Sequence, residues 1–219
     1  MASDPADTHA AGSPIVVPEL RDYHQINAQL VRRLNLGQSY IRLESVAGQR
    51  LLASRLSGPW QAVIEIDGHA GPELAAELDA PGLLVICRGN AADGAGSRLV
   101  AGRFLILGNS GVALGYFQKG GLIVAHGDAA PRAGLNQSGG DLILLGRFGA
   151  LTGERQSRGR LFLPAEHNAP HLSCSACGGR VVRFSLQGNQ DAGATQASGD
   201  DASVVQQALD LVARHCSSD

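Results

Sequence analysis

Lysine is all but missing from this chain of 219 residues: Lys119 stands alone beside seventeen arginines. With so much alanine and glycine around it, that bias reflects a genome's coding preference rather than a function. Aromatic residues are only 4% of the chain, too few to give successive bases a platform among the arginines, so a nucleic-acid-binding solenoid is disfavoured. Long apolar runs are missing too. The stretches FLIL and LILL are far shorter than the roughly 20 residues that span a bilayer, and no basic segment with an apolar one after it opens the chain. Four cysteines make no disulfide framework, which sets the expected compartment as the cytoplasm. Catalytic signatures are equally scarce: there is no G-x-S-x-G elbow, no H-E-x-x-H helix and no phosphate loop. Between residues 98 and 160 the carboxylates are Asp128, Asp141 and Glu154, too scattered for the pair that a polysaccharide-cleaving β-helix needs. His126 beside Asp128 alternates outward and reads as a solvated surface histidine.

Glycine is plentiful, and it is placed by a ruler. Gly89, Gly108, Gly127 and Gly146 lie 19 residues apart, as do Gly96, Gly115, Gly134 and Gly153, and Gly102, Gly121, Gly140 and Gly159 close each unit. The same period carries a short aliphatic run, such as Phe104-Leu105-Ile106-Leu107, into each first glycine. One strand of about five residues cannot bury a face alone, so the copies must stack into a shared core. The glycines are expected at turns that need positive φ. Asn90, Asn109 and Asp128 each follow a first-column glycine and are read as turn formers through side-chain to backbone bonds. The spacing does not fit G-x-G-x-x-G. A hexapeptide left-handed helix fails as well, because steps of six from Ile106 reach Val112 and then Gln118. The expected fold is an all-β solenoid, a right-handed parallel β-helix of about six coils over residues 39–164, with short flanking helices.

The flanks are different. Residues 1–18 read as a disordered tail. Residues 19–37 read as a capping helix, with Tyr23, Ile26, Leu30 and Leu34 at helical spacing, Asp22 and Gln25 in capping positions and Gly37 beyond its end. Residues 165–186 hold a Cys/His loop and a strand, 187–200 a flexible linker, and 201–216 an amphipathic helix with Val204, Ala208, Leu211 and His215 on one side.

The units Gly108/Gly111/Gly115 and Gly146/Gly149/Gly153 resemble the GXGXG-repeat β-helix family. That domain ends the large subunit of glutamate synthase, stands alone as a subunit of N-methylglutamate synthase-like complexes, and forms the C-type subunit of formylmethanofuran dehydrogenase and its formyltransferase/hydrolase relatives. The resemblance covers residues 39–164, with Ala130 and Ala75 standing where the pattern has glycine. It implies a non-catalytic scaffold subunit holding glutaminase and FMN synthase units, with FMN and iron-sulfur cofactors confined to partner subunits. The amino-terminal cysteine of class II glutamine amidotransferases is absent. The alternative it implies is the corresponding C-type subunit in one-carbon metabolism, and a stand-alone binding solenoid is the reading of another class. RDYHQIN, close to the helix start of stand-alone amidotransferase-side subunits, favours the first.

His167, His171, Cys174 and Cys177 form a candidate zinc site: two thiolates in a Cys-x-x-Cys turn with two histidines could complete a tetrahedron, against the plainer reading of a loop of reduced thiols.

Strand alternation makes two further expectations. Ile64, Val85, Phe104, Ile123 and Leu142, with Ile66, Cys87, Ile106 and Leu144, should face inward. Glu65 should then face solvent, and Ile86, Leu105, Val124 and Ile143 should form an apolar outer stripe. Such a stripe requires a cover: a terminal helix of this chain, a second copy, or, as favoured here, a partner subunit. Charge also divides along the stack. Residues 62–82 carry five acids and no base, whereas residues 98–160 carry eight bases and three acids, which predicts a dipolar rod.

Overall fold

The computed structural model describes residues 13–17, 22–167, 178–185 and 199–216. Nine strands form one sheet in chain order, each parallel to its neighbours: β1 (Ile15–Val16), β2 (Tyr40–Ala47), β3 (Ala62–His69), β4 (Asp79–Cys87), β5 (Ala101–Ile106), β6 (Lys119–Ala125), β7 (Ser138–Leu144), β8 (Arg158–Pro164) and β9 (Arg180–Phe184). Parallel pairing in chain order requires the chain to complete one circuit between strands. The result is a parallel β-solenoid of about seven turns, with two helices among the described residues. The extra turn lies outside the glycine-ruled stretch. At one end Ile15 pairs with Leu43, so Ile15 and Val17, assigned above to a disordered tail, are buried in the core. At the other end β9 adds a rung to β8.

Each coil has three sides. The strand side is the sheet itself. The second side is a single bridge per coil, Ala70–Ala91–Ser110–Ala129–Phe148, where mostly small residues let the chain turn closely. The third side alternates right- and left-handed residues. In one coil Ala113, Gly115 and Phe117 have φ of 63°, 65° and 55°. The same triplet recurs from Leu51/Ala53/Arg55 to Leu151/Gly153/Arg155. This alternation turns successive peptides in opposite directions. Ala113 and Phe117 donate onward to the carbonyls of Pro131 and Leu135, while Gly115 donates back to Ala95.

That geometry separates the glycine columns by cause. Second-column Gly115 occupies the left-handed region, and the stack tolerates Ala75 at the equivalent place with φ 53°. The first column has no positive φ. A Cβ on Gly127 would stand 2.5 Å from the Gly108 carbonyl oxygen, so close approach of backbones, not turn conformation, requires glycine there.

Inside the stack, Ile64, Val85, Phe104, Ile123, Leu142 and Leu161 make one continuous column of the core, with Ile66, Cys87 and Ile106 beside it. Each fully buried side chain of this kind stabilises by about 1.5–3 kcal/mol. The inward register expected from alternation is the observed one.

Helix α1 (Tyr23–Asn35) covers the open first coil. Asp22 caps its start by accepting from the His24 N–H, and Ile26, Leu30 and Leu34 are buried as their spacing implies. Gly37 ends it at φ 80°, with the Gln38 N–H returning to the Arg33 carbonyl, a Schellman closure. The covering is specific. The Asn27 side chain accepts from the Ala53 N–H at 2.9 Å and donates to the Leu51 carbonyl at 2.8 Å. Its amide thus takes the place of the peptide that a preceding coil would supply.

Candidate functional site

The outer stripe forms as expected but is closed from within. Ile86, Leu105, Val124 and Ile143 are fully buried in a second cluster, separate from the core, against Val205, Ala208, Leu211 and Val212 of helix α2 (Gly199–Cys216). Of the covers weighed above, the chain's own helix is the one present. Its buried face centres on Val205, Ala208 and Val212, with Val204 at its margin and His215 half-buried.

Ionic contacts hold both ends of that helix. At its start, buried Asp201 meets Arg180 and Arg160, and Arg160 also binds Asp141 at 2.7 Å. At its end, Arg88 donates to the His215 carbonyl at 3.2 Å and to Glu65 at 2.7 Å, a cation at the negative end of a helix dipole. Glu65, expected to face solvent, is therefore only 4% exposed; α2 shields it and Arg88 neutralises it. Burial pushes the His215 imidazole below its ordinary value, with Glu65 opposing. Burial followed by the charge of Glu65 raises the Tyr40 phenol.

Two side-chain ladders run along the stack. Asn109 donates its N–H to Asn90, Asp128 to Asn109, and Arg147 to Asp128, each at 2.8 Å. These residues, read above as local turn formers, therefore join one coil to the next. Arg147 holds Asp128 below the usual carboxylate range. The second ladder is internal. Gln118, Gln137 and Gln156 are fully buried; Gln137 Nε2 donates to Gln118 Oε1 at 3.2 Å and Gln156 Nε2 to Gln137 Oε1 at 3.0 Å, and all three also donate to nearby backbone carbonyls. Sequence reading missed this ladder. The signal was available: three glutamines 19 residues apart, following Leu56, Leu78 and Leu99 in one column.

The charge map changes on folding. The acids of residues 62–82 gain arginines from neighbouring coils: Arg88 for Glu65, Arg42 for Asp67, and Arg98 for Glu73 and Glu77. The expected acidic end is thereby largely neutralised. Among the basic residues farther along, Lys119, Arg132, Arg155 and Arg158 have no ion-pair partner among the described residues.

His171, Cys174 and Cys177 lie outside the described residues. His167 accepts at its carbonyl from Arg183 Nη1 at 3.3 Å. Among the described residues no group of three His, Cys, Asp or Glu side chains could hold a metal ion. His126 is exposed, its ring Nδ1 3.3 Å from the Leu107 carbonyl. Cys87 packs in the core, where burial pushes its thiol up to about 11, so it is protonated and inert near neutral pH. An open groove of about 650 Å³ runs between α1 and the first coil, lined by Asn27, Val31, Arg32, Leu36, Arg55 and their neighbours. It gathers no acid, base or nucleophile set.

Comparison with protein-family models, with curated proteins and with solved structures finds no match for this chain. Among the described residues no helix is long and apolar enough to cross a membrane.

Proposed function

We propose that this chain is a non-catalytic scaffold subunit of a multi-subunit enzyme complex, of the glutamate synthase type, in the cytoplasm. The observation that carries the reading is the stack itself. Coils locked by backbone, asparagine and glutamine ladders make a stiff body, and its apolar strand face is closed by α2. That leaves the left-handed wall as an uncommitted side on which other subunits can be held in fixed register. The glycine spacing resembling the GXGXG β-helix supports the choice of complex. Catalysis and the FMN or iron-sulfur chemistry then belong to the partners.

The test is isolation of the untagged chain from its native source, with subunits identified by mass spectrometry and glutamine-dependent glutamate formation assayed. Glutaminase and flavin-containing subunits should co-elute with it. Subunits for a formyl reaction on a one-carbon carrier would replace this reading with the formylmethanofuran dehydrogenase-like one, and a chain that elutes alone would leave a stand-alone binding solenoid. We also propose zinc at His167, His171, Cys174 and Cys177. Elemental analysis of the purified chain should then find about one equivalent, the content of a single four-ligand site; background zinc rejects the site.

A further inference from the structure

We propose that the left-handed wall around Phe117 docks an acidic segment of a partner protein, anchored by an apolar side chain. The inference rests on the scaffold reading and names the surface and the partner's chemistry. In this wall the third left-handed position of successive coils holds Arg55, Glu77, Arg98, Phe117, Asn136 and Arg155, all at φ between 55° and 57°. The conformation belongs to the fold. The side chain does not, because polar residues serve in all the other coils. Phe117 is 40% exposed and contributes little to the core, while the Tyr116 ring lies 4.2 Å from it. Val100, also 40% exposed, precedes Lys119 in the column at the adjoining corner. The result is an apolar spot on a side where the fold asks for none.

Its surroundings are cationic. Lys119, Arg132, Arg155 and Arg158 lie on or beside this wall within three coils and have no ion-pair partner among the described residues. Arg98 is different, being engaged by Glu73 and Glu77. Glu154 is the one carboxylate of the same three wall segments; Asp128 and Asp141 are held by Arg147 and Arg160. Unpaired cations around an exposed ring complement a segment of opposite charge with an apolar anchor. A single-stranded nucleic acid fits less well. It needs rings in succession, and the columns above and below Phe117 offer Asn136 and Arg98.

The test uses the full chain and defined probes. A fluorescein-labelled oligoglutamate peptide with one central tryptophan should bind, and the same peptide with lysine for glutamate should not. Phe117→Asn keeps a residue type that Asn136 shows to be compatible with this position, and an unchanged melting temperature checks its fold. It should weaken peptide binding about tenfold, the loss of one modest anchor. Lys119→Glu with Arg155→Glu should weaken it further and flatten its salt dependence. Absence of binding, or binding indifferent to Phe117→Asn, overturns the proposal. Tighter binding of oligo-dT with the same sensitivity to the variants would overturn it in favour of nucleic acid. Because the probe needs no partner subunit, its outcome is independent of co-purification, so failure of this surface and failure of the scaffold reading are told apart.

Discussion

Gly127 and Gly115 keep the same 19-residue beat for different physical reasons, and substitution separates them. Gly127→Ala drives a Cβ into a carbonyl 2.5 Å away in the coil beneath; only a backbone shift relieves it, so a loss of about 3 kcal/mol or more is expected. Gly115→Ala places its Cβ 3.2 Å from the flexible end of Ile123 and adopts a conformation that Ala75 already holds, so the loss should stay near 1–2 kcal/mol. Urea denaturation of the two variants checks the order. The glutamine ladder makes a second case. Gln137→Leu removes the donor to Gln118 and the acceptor for Gln156, costing about 2–4 kcal/mol. Changing all three glutamines to leucine should cost less than three times Gln137→Leu, because no side-chain amide is stranded and Leu99 already fits that column, while the carbonyls of Gly120, Gly140 and Gly159 still lose a donor. Additive losses in the same denaturation series would mean the rungs act independently. The period announced these positions, but not their causes: φ and interatomic distance separate Gly115 from Gly127, and neither is written in a spacing.

At the scale of elements, α1 was legible because residues 22–37 carry its cap, its apolar spacing and its stop signal together. The cover of the outer stripe was not. Alternation identifies which side of each strand Leu105 and Val124 occupy, yet it contains nothing about what arrives from residue 199 onward. Docking of α2 leads to two expectations. Leu105→Glu should dislodge α2, raising binding of a hydrophobic dye, while the β signal in circular dichroism persists, because Leu105 belongs to the outer cluster and not to the core column. Collapse of the β signal would place Leu105 in the core instead. Docking should also respond to pH through His215, whose pKa is lowered from 6.5 on folding. The docked state then binds a proton less readily than the released one, so docking is complete above pH 6.5 and weakens as pH falls through the lowered value. A proteolysis rate at α2 that does not rise on acidification, or a His215→Asn variant with the same pH response, would contradict this assignment.

For the whole molecule, the dipolar rod read from local charge counts is replaced by a more specific picture. Coils bring Arg42, Arg88 and Arg98 beside acids that are distant in sequence, and Lys119, Arg132, Arg155 and Arg158, without an ion pair among the described residues, lie on or beside the wall that carries Phe117. The strand side is closed by α2 and the left-handed side presents the exposed Phe117 ring, so the proposed contact with other subunits falls on the left-handed side. Hydroxyl-radical footprinting of the free chain and of its native assembly tests that assignment most directly, because oxidation follows side-chain exposure. Phe117 and Tyr116 should be oxidised in the free chain and protected several-fold in the assembly, with Leu211 shielded in both. Phe117 oxidised equally in both states, with Leu105 and Leu211 changing instead, would contradict the account and return the partner to the face beneath α2.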